Sequence, residues 1–257
     1  MAPAAALIYH PTVAHYLRYV ATTVGRDKLL RTLQYFSRFY AWYLFRTNHP
    51  QSAIAPYDAI KKQFGLTRKI MRLGKFVEHL KAAADASDKK GLDPIIKYCA
   101  VGRQLGYAGY MILDNLTVPD AAGIRPMASS KRLLQQAYKC WLAGLLFNVV
   151  GGIYQLNLLR QRRTALTLEQ EKTGEGVVEV KKLEKYANHF SAGMQWILND
   201  CLCRERNTLN LQLISDLCDL TVPTFALGYG NLDDGLVGLA GTVSSLIGVY
   251  TVWKKTA

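Results

Sequence analysis

Nineteen consecutive residues, Gly235 to Trp253, carry no charge, with Asp233-Asp234 before them and Lys254-Lys255 after. As a helix rising 1.5 Å per residue, such a run spans nearly the whole hydrocarbon core of a bilayer, about 30 Å thick. Tyr250 and Trp253 stand near one end, where half-apolar, half-polar rings suit the membrane–water boundary. Ala240, Ser244 and Gly248 recur every four residues. Such a stripe of small side chains lets a second helix approach closely, and it makes these three the candidate helix-packing residues. The core helix of a soluble protein rarely needs so long an uncharged stretch. The sequence therefore predicts a membrane-crossing helix over 235–253.

A second uncharged run, Cys140 to Leu159, is twenty residues long and lies between Lys139 and Arg160. Asn148, Gln155 and Asn157 lower its hydropathy, so a buried helix of a soluble protein fits it as well as a span over 140–159 does. Gly102 and Gly106 form one G-x-x-x-G, a spacing that permits close helix contact. Lys28 to Arg46 repeats its apolar residues every three or four positions and is rich in aromatics, including Tyr35, Phe36, Phe39, Tyr40 and Trp42. These periods predict an all-α fold, an integral membrane bundle. The expected division is N-terminal aromatic and basic helices over 1–57, an amphipathic helix over 58–85 and further helices over 92–160. A polar loop over 164–182 and C-terminal helices over 185–257 follow. Breaks are expected at Gly25, at Pro50 and Pro56, and at Pro223.

Within 58–85, Leu66, Ile70, Leu73, Val77 and Leu80 follow a helical period and mark one apolar face. Lys61, Arg68, Lys69, Arg72 and Lys75 lie on the flank and back. A basic amphipathic helix of this kind lies in an anionic membrane interface, although a core-facing helix with a solvated back has the same pattern. Charge distribution favours the membrane. Residues 1–139 carry 21 Lys/Arg and 8 Asp/Glu, whereas residues 140–257 carry 11 of each, so the whole net charge of +13 sits in the first half. An anionic surface, either lipid headgroups or nucleic acid, is the complementary partner. The uncharged run 235–253 argues against a soluble nucleic-acid binder.

Motifs that carry chemistry are missing from the sequence. The five histidines show no ligand spacing, and there is no phosphate-binding loop, dinucleotide fingerprint or nucleophile elbow. Cys201 and Cys203 are one residue apart, which suits neither a zinc site nor a redox pair. No enzyme activity, metal or cofactor is expected, nor an N-terminal signal peptide. One short echo stands out: Asp114-Asn-Leu-Thr-Val-Pro119 resembles Asp219-Leu-Thr-Val-Pro223. It reads either as two similar turns or as coincidence.

Three stretches together resemble the peroxin-11 family. They are Gly25-Arg-Asp-Lys-Leu-Leu-Arg-Thr-Leu-Gln-Tyr-Phe-Ser-Arg-Phe39, then Arg68-Lys-Ile-Met-Arg-Leu-Gly-Lys-Phe76, and the block from Asp216 through Pro223 to Gly248 and Trp253. The resemblance implies an integral protein of the peroxisomal membrane, with an even number of spans and both termini cytosolic. It implies self-association into homo-oligomers and recruitment of fission machinery, including a dynamin-related GTPase. The implied function is elongation of the membrane, with a pore for small metabolites as the alternative. By the same resemblance, Leu66, Ile70, Leu73, Val77 and Leu80 are the membrane-inserting face. Lys61, Arg68, Lys69, Arg72 and Lys75 are then the cations for anionic phospholipid headgroups.

Overall fold

The computed structural model describes the backbone of residues 9–175 and 184–257, and the side chains of these outside 166–200. Among the described residues there are helices and connecting turns and no strands. The helices are α1 (Pro11–Ala21), α2 (Thr23–Arg46), α3 (Gln51–Met71), α4 (Phe76–Asp88) and α5 (Pro94–Leu116). They continue with the one-turn α6 (Val118–Ala121), α7 (Ser130–Glu175), α8 (Glu184–Leu227) and α9 (Asp234–Thr256).

Local chemistry sets most boundaries, and it moves several of the expected ones. The first break falls at Thr22, not Gly25. Thr22 takes extended backbone, and its hydroxyl accepts from the Gly25 N–H to cap α2. Gly25 lies inside α2, where a Cβ would sit 2.3 Å from the Tyr19 carbonyl oxygen. Pro50 does end a segment, but Pro56 lies within α3, close enough to its start to remove one helical hydrogen bond without stopping the helix. Pro223 likewise lies inside α8, which runs on to Leu227 and ends before Gly228 at φ +71°. Asp93 caps α5 by accepting from Ile95 and Ile96, with Pro94 at its first position.

Two larger differences concern the expected segments. The stretch 58–85 is two helices: α3 and α4 meet at a turn around Gly74, whose φ of +76° is open to glycine and costly for other residues. Further on, α7 continues to Glu175, through the first part of the expected polar loop. Leu, Gln, Glu and Lys in that stretch are good helix formers, so polarity alone was no signal for a loop. Residues 176–182, the rest of the expected loop, lie outside the described residues, as do residues 1–8.

Two close helix pairs organise the bundle: α5 lies on α7, and α2 lies on α9. Glycines set both. A Cβ on Gly106 would meet Gly144 Cα at 2.6 Å, so this member of the G-x-x-x-G does bring two backbones together. On α9, Gly235 faces Trp42, Gly238 faces the Phe39 backbone, Gly241 faces Tyr35 and Gly248 faces Lys28. The remaining helices fill in around these pairs, α3 on α2, α4 on α5, and α8 on both α7 and α9. A buried cluster joins them through Tyr35, Tyr110, Met111, Trp141, Leu145, Val222 and Val237. Among the described residues, two helices are long and apolar enough to cross a membrane, one over Ser130–Ala165 and the C-terminal one over Asp234–Thr256.

Candidate membrane interface and polar core

A set of charged side chains points inward, while most lysines and arginines of the described residues stay exposed. Arg31 of α2 pairs with Asp219 of α8, and both are buried. Arg68 of α3 is also buried; its Nε reaches Asp27 of α2 at 3.0 Å and its Nη1 donates to Gln34 at 2.6 Å. Asp114 at the end of α5 holds two cations, Lys69 at 3.1 Å and Arg72 at 3.5 Å. Lys69 also donates to the Thr117 hydroxyl, and Arg72 to the Tyr110 hydroxyl. Asn148 of α7 donates to the buried Asp216 of α8, which Gln212 also contacts. Ser215 and Ser244 are hydrogen-bonded at 3.0 Å between α8 and α9. Water is the better solvent for each of these groups, and only pairing makes their burial tolerable.

Apolar rows point outward. On α9, Leu236, Leu239, Val243, Leu246 and Tyr250 are exposed. On α7 the exposed row is Leu146, Phe147, Val150 and Ile153, and on α8 it is Leu211, Ile214 and Leu217. Rows of this extent on several helices are too large to be ordinary exposed leucines on a soluble surface. Hydrocarbon solvates them without cost, and a membrane places unavoidable charges inside the bundle.

The helical elbow α3–α4 follows the same rule, and this reassigns half of the expected interface. Ile70, Leu73, Val77 and Leu80 stand out from the surface with 43–57% of each residue exposed, while Leu66 is half-buried. The candidate cations divide. Arg68 and Lys69 are buried and Arg72 is half-buried with a paired guanidinium, so these three face the core and not lipid headgroups. Their carboxylate partners, Asp27 and Asp114, leave no free charge to offer. Lys61 stays half-exposed and is paired with Asp58 at 2.9 Å, and Lys75 is half-buried at the turn. Lys62 and Lys81, on the same elbow, are exposed and were not among the expected headgroup cations.

The candidate packing stripe on α9 is engaged inside the chain. Ser244 is buried against Ser215 and Gly248 lies on Lys28, while Ala240 is half-buried. Small residues did mark a close helix contact, at Ser244 with α8 and at Gly248 with α2 of the same chain.

Sequence reasoning missed the acids that receive these cations. The echo was a usable signal. Asp114 and Asp219, which begin its two copies, are the two carboxylates that hold Lys69–Arg72 and Arg31. The echo is not two turns, because Pro119 follows the end of α5 whereas Pro223 lies within α8. The charge asymmetry also has a structural answer. Arg31, Arg38 and Arg46 of the basic first half pair with Asp219, Asp234 and Asp233 of the second.

An all-helical chain with outward apolar rows, inward ion pairs and two helices of membrane-crossing length has the organisation of a membrane protein. The chain belongs to the family of peroxisomal biogenesis factor 11 (PEX11), whose model matches residues 13–253. It is 30% identical over 258 residues to the peroxisomal membrane protein PMP30A of Candida boidinii, covering 97% of each chain. It is 26% identical over 254 residues to the peroxisomal membrane protein PMP27 of Saccharomyces cerevisiae, covering 97% of this chain and 98% of that one. To the human peroxisomal membrane protein 11B it is 24% identical over 249 residues, covering 92% and 95%. No solved structure matches the chain.

Proposed function

We propose that this chain elongates the peroxisomal membrane, with the α3–α4 elbow as a wedge in one leaflet. The observation that carries the proposal is the exposed row Ile70, Leu73, Val77 and Leu80 on an element whose Arg68, Lys69 and Arg72 are held inward. Full burial of such side chains contributes about 1.5–3 kcal/mol each, so four half-exposed ones retain several kcal/mol for insertion. Lys62 and Lys81, exposed on the same elbow, add about 1 kcal/mol each near anionic lipid. Inserted into one leaflet only, many such elbows expand that leaflet and favour a tube.

Self-association supplies the density of wedges. The Ala240–Ser244–Gly248 stripe is occupied, so copies meet through the outward rows of the bundle, α9 among them. Recruitment of a dynamin-related GTPase, as the family resemblance implies, follows elongation and uses surfaces outside the elbow. Both termini face the cytosol in this proposal, as the family resemblance suggests.

The alternative, a metabolite pore, draws less support. Of the polar residues that interrupt the run 140–159, Asn148 is taken up by an interhelical hydrogen bond to Asp216. The test is tubulation by the full-length protein in liposomes containing anionic lipid. Replacing Leu73 and Val77 by Asp abolishes tubes while the helical content stays at its wild-type value. Tubes that persist in this double variant refute the wedge.

A further inference from the structure

Between the long helices lies a partly open cavity of about 520 Å³, within the usual range of small-ligand sites. Its walls come from α2, α3, α5, α7, α8 and α9, with Lys75 and His79 at the elbow. Four carboxylates line it: Asp27, Asp114, Asp216 and Asp219. Three of them are engaged in the ion pairs already described, through Arg68, through Lys69 with Arg72, and through Arg31. Asp216 takes neutral amide partners.

Three further cations line the same cavity, Lys28, Lys75 and Arg103. None has a carboxylate within 4.0 Å among the described residues. Arg103 Nε is buried without a hydrogen-bond partner, and its guanidinium is otherwise placed over the Tyr107 ring. A buried guanidinium N–H left unbonded costs free energy that a bound acceptor recovers. Seven cations against four carboxylates leave a surplus of three in a partly open, partly apolar space. Phosphate oxygens match this set: a guanidinium fork, two mobile ammonium groups and several phenol hydroxyls.

We propose that this cavity is a binding site for a phosphoryl anion, held by Lys28, Lys75 and Arg103. Its walls include Gly248, Thr251 and Val252 of α9, close to Tyr250 and Trp253. That end of α9 is the aromatic boundary of the candidate span, so the site lies near headgroup level. A phospholipid headgroup and a soluble phosphate compound are both available there, and they share the chemistry that the cavity recognises. The elbow reaches the site through its inward side, with Lys75 and His79, whereas none of its exposed apolar row lines the cavity, so different side chains test the two proposals.

The test uses the full-length chain in phosphatidylcholine nanodiscs at constant ionic strength. Acylation of Lys28 by an amine reagent is followed by mass spectrometry, with exposed Lys254 as the internal reference. One arm adds inorganic phosphate, and the other replaces a small share of the lipid with phosphatidic acid. Lys28 becomes protected while Lys254 does not, and the arm that protects it identifies a soluble or a lipid source. Arg103→Met raises the concentration for half-protection about tenfold, the loss of one charge-assisted hydrogen bond. Arg103→Lys retains most of the protection. If Arg103→Met does not reconstitute, Lys75→Gln provides the same comparison. Equal rates at Lys28 with and without either probe overturn the proposal. So does protection that sodium chloride reproduces, or that survives unchanged in the substituted protein.

Discussion

The α2–α9 seam and the α3–α4 elbow are fastened by different balances of shape and charge: along the seam glycines set the contact, with the Arg38–Asp234 ion pair at one end. In the seam, backbone meets backbone: Gly238 leaves so little space that a Cβ there would lie 2.6 Å from the Phe39 nitrogen. In the elbow, charge does the fastening, with Arg68, Lys69 and Arg72 drawn inward to Asp27 and Asp114. Shape tolerates no insertion and is indifferent to solvent conditions. Charge tolerates movement but depends on every partner staying ionised. The seam thus suits a fixed anchor, and the elbow suits an element that seats itself in a leaflet while its root is held.

The strongest way to break this contrast is to remove the elbow's shared acid. Asp114→Asn leaves Lys69 and Arg72 without their carboxylate and destabilises the protein by about 3–5 kcal/mol. Unfolding in detergent measures the loss. Replacing all three together, Asp114→Leu with Lys69→Met and Arg72→Met, recovers most of it, because no buried charge is then left alone. Gly238→Ala attacks the seam and costs about 1–3 kcal/mol by overpacking, with no dependence on salt or pH.

Smaller effects sharpen the same contrast. At Gly74 no atom lies within 4 Å of the place a Cβ would take, so Gly74→Ala costs only the backbone strain at φ +76°, about 1 kcal/mol. It lowers the elbow's stability without touching its ion pairs, and the same detergent unfolding measures it. Least of all is the effect at Asp120, in the one-turn α6. Its carboxylate is held below the ordinary range, first by the Ser130 hydrogen bond and then by the Met127 N–H. Its stabilising contribution is present above about pH 4 and is lost as the pH falls through the depressed value. Asp120→Asn removes that shallow acid dependence, with a small loss of stability at pH 7 that vanishes at low pH.

Helical class and the exposed apolar row were legible because both are periodic. Uncharged length pointed to α7 and α9, and spacing of three and four placed Ile70, Leu73, Val77 and Leu80 on one side. The inward turn of Arg68, Lys69 and Arg72 was not legible. Asp27 lies 41 residues from Arg68, and Asp219 lies 188 residues from Arg31, and periodicity names a face without saying what it meets. In water a charged face turns outward, and that expectation fails here because acids on α2 and α5 receive the cations. The split at Gly74 was hidden because the apolar spacing continues across the turn.

Everything proposed for the elbow depends on its apolar row meeting lipid while its basic row faces protein. The direct measurement is depth-dependent quenching in liposomes, with a fluorophore placed in turn at Leu73→Cys, Val77→Cys and Lys69→Cys of a full-length chain otherwise free of cysteine. Labels at positions 73 and 77 are quenched by a lipid-borne quencher and shielded from an aqueous one, whereas the label at 69 is reached by neither. Aqueous quenching at 73 and 77, with lipid quenching no stronger there than at 69, would contradict this arrangement.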